Sequence, residues 1–527
     1  MISVVHIRTA AVALAFGILL PLATEAADTE RTLTLEDAIV RALAKNEGIL
    51  VEREGLEAAR AAERGAHGIY DPLLRIDTGW RRSAEPANST FSGAPLGRSA
   101  PTNAGYNFDL AVQQRIPSAG TVSLLASTAR QTTNSTFSLL SPAYLTRLGL
   151  ELRQPLLVLL PGSTKLTKYT ISVASLDRDR AAASLRREVS DTVAGIERAY
   201  WTLDAARREI GVREEAVRLA QEQLQETGVR VEQGVAAEAE RAQPRAELER
   251  RRGELLASRE ALARAENAVK LLILGEEDSD LWPASLATTG GSDPETVPVT
   301  IDAWIDQALA SRPEVKAAQA TVERRRLETA LAREQSRPTF DAIVGYDRYG
   351  FAGTRNPLAS AAPGGVITDL GPVEGGLTRS FGTLNDSGFS GAHAGVIFQV
   401  PIRNRAARAA AAVAASAERQ AQVQLAQARK AVRVDVLDAA AALQTADQRI
   451  AAARAAREAA EVQLSAERDR FAVGLSTNFL VLTRQNDLSR ARLDEIASLH
   501  DYRNARTGVA RATGALLDER KISVEGN

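Results

Sequence analysis

The sequence has no cysteine. Disulfides, thiolate metal sites, cysteine nucleophiles and an N-terminal lipoprotein anchor are thereby excluded by chemistry, and any membrane attachment must come from the fold. Aromatic residues make up only 4% of the 527 residues, while alanine dominates long stretches. Few bulky side chains imply few thick cores. The formal net charge of -1 gives no overall attraction to nucleic acid or anionic lipid, and there is no long basic run. Beyond the N-terminal segment no apolar run approaches the roughly 20 residues of a spanning helix. The longest candidate, Leu156 to Leu160, is closed by Pro155 and Pro161. A chain of this kind that spans a membrane does so with strands. The four histidines, His6, His67, His393 and His500, lie far apart and in no metal-ligand spacing. With no nucleophile elbow and no phosphate-binding loop, the sequence predicts neither an enzyme nor a cofactor.

What is present starts with an export signal. His6 and Arg8 precede an apolar run from Ala10 to Leu20, and Thr24-Glu25-Ala26 follows as a cleavage site, so residues 1–26 read as a signal peptide. The rival reading, an uncleaved anchor, needs a longer apolar run than this one.

The remainder reads as a duplicated unit. A shift of 266 residues pairs Thr34-Leu35-Glu36 with Thr300-Ile301-Asp302 and Ala42-Leu43-Ala44 with Ala308-Leu309-Ala310, and it sets Pro72 on Pro338. Two repeats are expected, 27–287 and 300–517, joined by a Gly-, Pro-, Ser- and Thr-rich linker over 288–299 and followed by a tail, 518–527. Each repeat should hold a short opening helix, then strands (near 73–154 and 339–400), then a helical hairpin (near 165–275 and 403–517).

The helices announce themselves by period. Val189, Ile196, Leu203, Ile210, Val217, Leu224 and Val231 recur every seventh residue, with Ala199, Ala206 and Ala220 beside them. A helix from about Lys165 to Gln233 would be roughly 100 Å long at 1.5 Å per residue. Gly234 breaks it, and Leu248, Leu255, Leu262 and Val269 mark the return, with a kink expected at Pro244. In the second repeat the stripe is Leu425, Val432, Val436, Leu443 and Ile450, the break is Gly474, and the return helix runs through Leu488 to Leu517. The strands alternate instead: 74–80, 106–116, 121–128 and 148–153, then 339–349 and 392–400, the last two separated by a Gly- and Pro-rich loop from Ala352 to Ser387. Trp80, Tyr106, Phe108, Tyr346, Tyr349 and Phe398 gather in these segments, as interfacial girdles or as ordinary strand packing.

A membrane barrel needs about 8 or more strands, more than the two principal hairpins seen here, so several copies would have to share one barrel. Strand count alone admits a dimer or a trimer. At this point the chain resembles the TolC-like outer-membrane efflux proteins, the outer membrane factors. The resemblance rests on the duplicated Thr34-Leu35-Glu36-Asp37-Ala38 opening, on Arg153-Gln154-Pro155-Leu156-Leu157 and Val400-Pro401-Ile402, and on the breaks at Gly234 and Gly474. It covers essentially the whole mature chain and implies a mixed membrane protein. In such a protein a homotrimer shares one 12-stranded transmembrane antiparallel β-barrel, continued by a periplasmic α-helical coiled-coil barrel. The implied role is a passive exit duct in the outer membrane of a Gram-negative cell, for drugs, metals or proteins. They would be delivered by a periplasmic adaptor and an inner-membrane RND or ABC transporter, as in tripartite efflux or type I secretion. A non-transporting scaffold bridging the periplasm is the alternative.

The resemblance also places the hairpin tips at Gln233, Gly234 and Val235 and at Val473, Gly474, Leu475, Ser476 and Thr477, where an adaptor would dock; plain turns explain the same glycines. The acidic pore positions of the family fall on Leu480 and Thr483, the basic one on Ser476, the latch tyrosine on Phe471, and the partner acid on Glu240. Phenylalanine cannot donate a phenolic hydrogen bond. The expectation is a periplasmic gate that is apolar, limited by Leu480 and Phe471, unless both simply pack between helices.

Overall fold

The computed structural model describes residues 31–86, 93–95, 98–157, 168–234, 237–290, 298–359, 371–386 and 388–524. The expected signal peptide, Val235, Val158 to Leu160 and most of the expected linker lie outside these residues. In chain order the elements are β1 (Arg31–Leu33), α1 (Leu35–Lys45), α2 (Glu47–His67), β2 (Leu73–Ala84), β3 (Thr102–Arg115), β4 (Thr121–Thr133), β5 (Leu140–Pro155), α3 (Tyr169–Glu232), α4 (Ala242–Ile273) and β6 (Leu286–Thr288). There follow α5 (Ile301–Ser311), α6 (Pro313–Gln335), β7 (Thr339–Arg355), α7 (Leu377–Asp386), β8 (Ser390–Gln399), α8 (Arg405–Ala472), α9 (Asn478–Thr513) and α10 (Leu516–Glu519).

The long helices follow from the heptads. On α3, Val189, Ile196 and Leu203 are buried, and on α8 so are Val432, Val436, Leu443 and Ile450. Between them alanine keeps helix axes close, as in the cluster of Ala460, Leu464, Leu488 and Ala491. Pro244 does not kink a helix, as the sequence suggested. It sits in the first turn of α4, where a residue has no carbonyl four positions back to bond, so the helix starts there at no cost. The second return helix ends at Thr513 and not at Leu517, because Gly514 takes φ +75° and closes it.

The residues form two compact units. One holds the described residues of 1–46, 192–297 and 445–507. In it Thr34 caps α1, its hydroxyl accepting from the Asp37 amide at 3.0 Å. β1 pairs in parallel with β6, Leu33 opposite Thr288, and the Tyr200 hydroxyl donates to the Leu33 carbonyl. This two-stranded element was not expected; it claims Thr288, the first residue of the predicted linker. Lys45 holds Asp278 by a salt bridge. That hydrogen bond first, then the Gly275 amide, lowers the Asp278 pKa below its ordinary value. A depressed carboxylate stabilises the fold above its unfolded pKa, near 3.9, and the contribution is lost as pH falls through the folded value. Asp278→Asn should therefore lower the melting temperature at pH 7, by an amount that shrinks as pH falls below about 3.9; a loss that stays constant through that fall would contradict this.

The other unit holds the described residues of 47–191, 298–444 and 508–527. It contains a helical core of Ala308, Val315, Val432, Val436 and Ala512 and one antiparallel sheet in the order β2-β3-β4-β5-β7-β8. The sheet has six strands where the resemblance implies four per chain. The segment 102–133 makes two full strands, turning tightly at Ile116 to Gly120. The loop expected from Ala352 to Ser387 is also corrected. β7 continues to Arg355, and α7 folds back on the sheet with Ser380 fully buried against Thr146 at 3.0 Å.

Candidate functional site

Register decides what each face of the sheet presents, because residues directly opposite share a face. Through the pairs Ile76↔Leu110, Leu110↔Ala126, Val112↔Leu124, Leu124↔Leu150, Leu150↔Tyr346 and Val344↔Ala394, one face is apolar across all six strands. Its side chains are exposed: Leu150 54%, Tyr346 50%, Val396 60%, Phe398 65%. In water such a surface would be a liability. The opposite face carries Arg75, Asp77, Asp109, Arg147, Glu151, Asp347 and His393. Arg147 donates to Asp347 at 2.9 Å, Arg153 to Asp341 at 2.7 Å, and His393 lies 3.7 Å from Glu151. All six strands have 10 to 17 residues, enough for the roughly 9–11 that cross a bilayer.

The second site is the pair of helical turns. At the first, Gly234 takes φ +74° and its amide donates to the Val231 carbonyl. Arg241 then ties the turn back to α3 through the Gly228 carbonyl at 3.1 Å and Glu232 at 2.9 Å. Glu240 lies in a short 3-10 turn, where its carboxylate accepts from the Ala237 amide at 3.4 Å. Gln233 is exposed. At the second, the Leu475 amide reaches the Arg470 carbonyl and the Gly474 amide the Phe471 carbonyl. With φ +79° at Gly474, this is the left-handed closure that glycine favours. Nothing lies within 4 Å of a Cβ built at Gly474, so the cost of substitution is purely conformational. Gly474→Val should lower stability by about 1–3 kcal/mol and Gly474→Asn by much less; equal melting temperatures for the two variants would contradict that.

The side chains singled out from the sequence separate here. Phe471 is 8% exposed, with the Arg230 guanidinium 4.7 Å above its ring. Leu480 is 40% exposed, its amide bonded to Thr477, and Thr483 donates to the Phe479 carbonyl. Ser476 donates to Glu467. Val473 and Leu475 project into solvent together with Phe479, 58% exposed. Phe479 was not anticipated, although an aromatic two residues past a Ser-Thr cap was readable as a surface anchor. Among the described residues no group of three or more acidic or histidine side chains could hold a metal, and no helix is long and apolar enough to cross a membrane.

Comparison with known proteins agrees with this geometry. Residues 304–515 match the family described as outer membrane efflux protein. Among solved structures, a membrane protein from Pseudomonas aeruginosa is similar at 17% identity and TM-score 0.63, over 91% of this chain and 90% of that one. The CmeC outer membrane channel of Campylobacter jejuni is similar at 14% identity and TM-score 0.63, over 93% and 90%. CusC is similar at 16% identity and TM-score 0.61, over 91% and 92%. Identities this low establish the fold. No curated protein matches the sequence. The resemblance to TolC-like outer-membrane efflux proteins holds at the level of the fold.

Proposed function

From a second half that matches the outer membrane efflux protein family and a chain with the fold of TolC-like channels, we propose that this protein is the passive outer-membrane duct of a tripartite efflux pump or a type I secretion system. The observation that carries the proposal is the two-faced sheet: apolar and exposed on one side, charged on the other, on the same chain as the long coiled helices. Lipid against the first face and water against the second is the arrangement of a membrane barrel. Because one chain leaves the sheet open, copies close it as a homotrimer. The two repeats, 27–287 and 300–517, supply a helical hairpin each. Their tips, with Val473, Leu475 and Phe479 exposed at the second, receive a periplasmic adaptor, which links the duct to an RND or ABC transporter. Drugs, metals and proteins are the cargo classes.

The periplasmic constriction is apolar on this reading. Leu480 lines it, while Phe471, held under Arg230, supports the wall from behind. In planar bilayers Leu480→Asp should put three carboxylates near the axis. Cation preference and block by millimolar divalent cations should then rise roughly tenfold over the parent. Unchanged selectivity and block would remove Leu480 from the pore.

A further inference from the structure

We infer that this chain contributes all six strands to the membrane wall, so that three copies, joined edge to edge through β2 and β8, close an 18-stranded barrel, three times the six strands of one chain. The inference rests on the trimeric duct proposed above and departs from the 12-stranded wall that the resemblance implies.

The strand count turns on the β3–β4 hairpin. It is not an ornament on the sheet but its middle. β2 reaches the rest of the sheet only through β3, paired over Ala84↔Thr102 to Leu73↔Gln113, and β3 reaches β5 only through β4. Removing the hairpin from the wall would break 12 pairings on one side and 11 on the other. Both strands also alternate in phase with their neighbours. Leu110, Val112 and Leu124 lie on the apolar face, whereas Asp109, Gln113, Ser123 and Ser127 lie on the charged one. A hairpin folded into an aqueous lumen would have no use for that apolar face.

The edges supply the second argument. β2 and β8 are each paired on one side only among the described residues, and unpaired amides and carbonyls facing lipid cost several kcal/mol each. The partner that satisfies them is a second copy of this chain. An even number of strands makes the two edges run in opposite directions, so β8 of one copy meets β2 of the next in the same antiparallel sense as every other pair in the sheet. The apolar faces join only if even-numbered positions meet even-numbered positions, setting Leu74 and Ile76 beside Ala394, Val396 or Phe398. Ten residues of β8 limit the seam to a like number on β2.

Width follows from number. With strands about 4.8 Å apart and tilted by about 40°, 18 strands make a backbone cylinder about 36 Å across, against about 24 Å for 12. The strand end of the duct is then as wide as a large porin, and resistance to flow lies elsewhere along it.

The test is a strand count by electron cryomicroscopy of the unmodified protein in lipid nanodiscs. It is joined to spin labels placed singly at Leu110, Ala111, Val112 and Gln113, which the absence of native cysteine makes clean. Eighteen strands around a three-fold axis are expected. Oxygen, from the lipid, should reach positions 110 and 112, and a water-soluble nickel chelate should reach 111 and 113. A three-fold particle with 12 strands, or labels at all four positions open to water, would overturn the inference and leave the duct reading standing. Particles without any barrel would overturn the duct reading itself. A two-fold particle with 12 strands would overturn the copy number, and the 18-stranded wall with it.

Discussion

Leu150→Arg is expected to abolish assembly of the duct in the membrane. Leu150 sits near the middle of β5, between Leu124 and Tyr346 on the apolar face, and half of its surface is exposed. An arginine on the lipid side of a barrel strand near the bilayer midplane costs roughly 2–4 kcal/mol. In the proposed trimer three copies would carry the cost three times. Gln113→Arg, on the charged face of β3, is the control and should change stability by no more than about 0.5 kcal/mol. Unboiled gel mobility of membrane extracts separates the two: the first should run as monomer, the second as the parent assembly. Equal behaviour would mean that the faces have been assigned the wrong way round.

Arg503→Ala should produce the next largest loss. Arg503 and Asp204 are both only 7% exposed and meet at 2.9 Å. The guanidinium also stacks 4.1 Å from the Trp201 ring, while Asp204 takes further bonds from Arg208 at 3.0 Å and Thr288 at 3.1 Å. Removing one partner from a buried pair costs about 3–5 kcal/mol, because the other charge is stranded. Arg208 remains to share the load, so a value near the lower end is expected. Asp204→Asn combined with Arg503→Met should be less destabilised than Arg503→Ala alone, since neither charge is then left behind. Thermal melting of all three variants decides it. A double variant that melts below the single one would contradict the charge-balance argument.

Much of this architecture is legible in the sequence because it is written in periods. The seven-residue spacing from Val189 to Val231 and the alternation from Leu74 to Trp80 are local patterns, and local patterns survive without coordinates. Glycine at 234 and 474 could be placed for the same reason: a helix needs a left-handed residue to end cleanly. What escaped is set by distant partners or is too short to show a period. The three-residue pairing of β1 with β6 joins Arg31 to the distant Leu286, and nothing around either residue announces it. α7 hides in a stretch whose glycines and prolines argue against a helix. It forms because Ser380 and Thr383 find partners on β5 and β7. The ion pair of Asp204 with Arg503 spans 299 residues, and no local pattern joins the two. All six strand segments could be read as well, although the resemblance implies only four in the wall: Pro117-Ser118-Ala119-Gly120 reads as a loop, and only the ladder reveals how long the strands on both sides of it are and that they join one sheet.

The candidate site was legible in position more than in role. The turns lie where the glycines put them, and Leu480 and Phe471 lie beside the second one. Burial then distinguished them, since Arg230, more than 200 residues away in sequence, covers one ring and leaves the other side chain open.

The most direct test of the central claim is the native mass and single-channel conductance of detergent-extracted, unboiled protein in planar bilayers, because shared strands make assembly and pore formation one event. A three-copy mass with discrete conductance steps is predicted. A monomer or dimer that never conducts would contradict the duct and leave a periplasmic scaffold in its place.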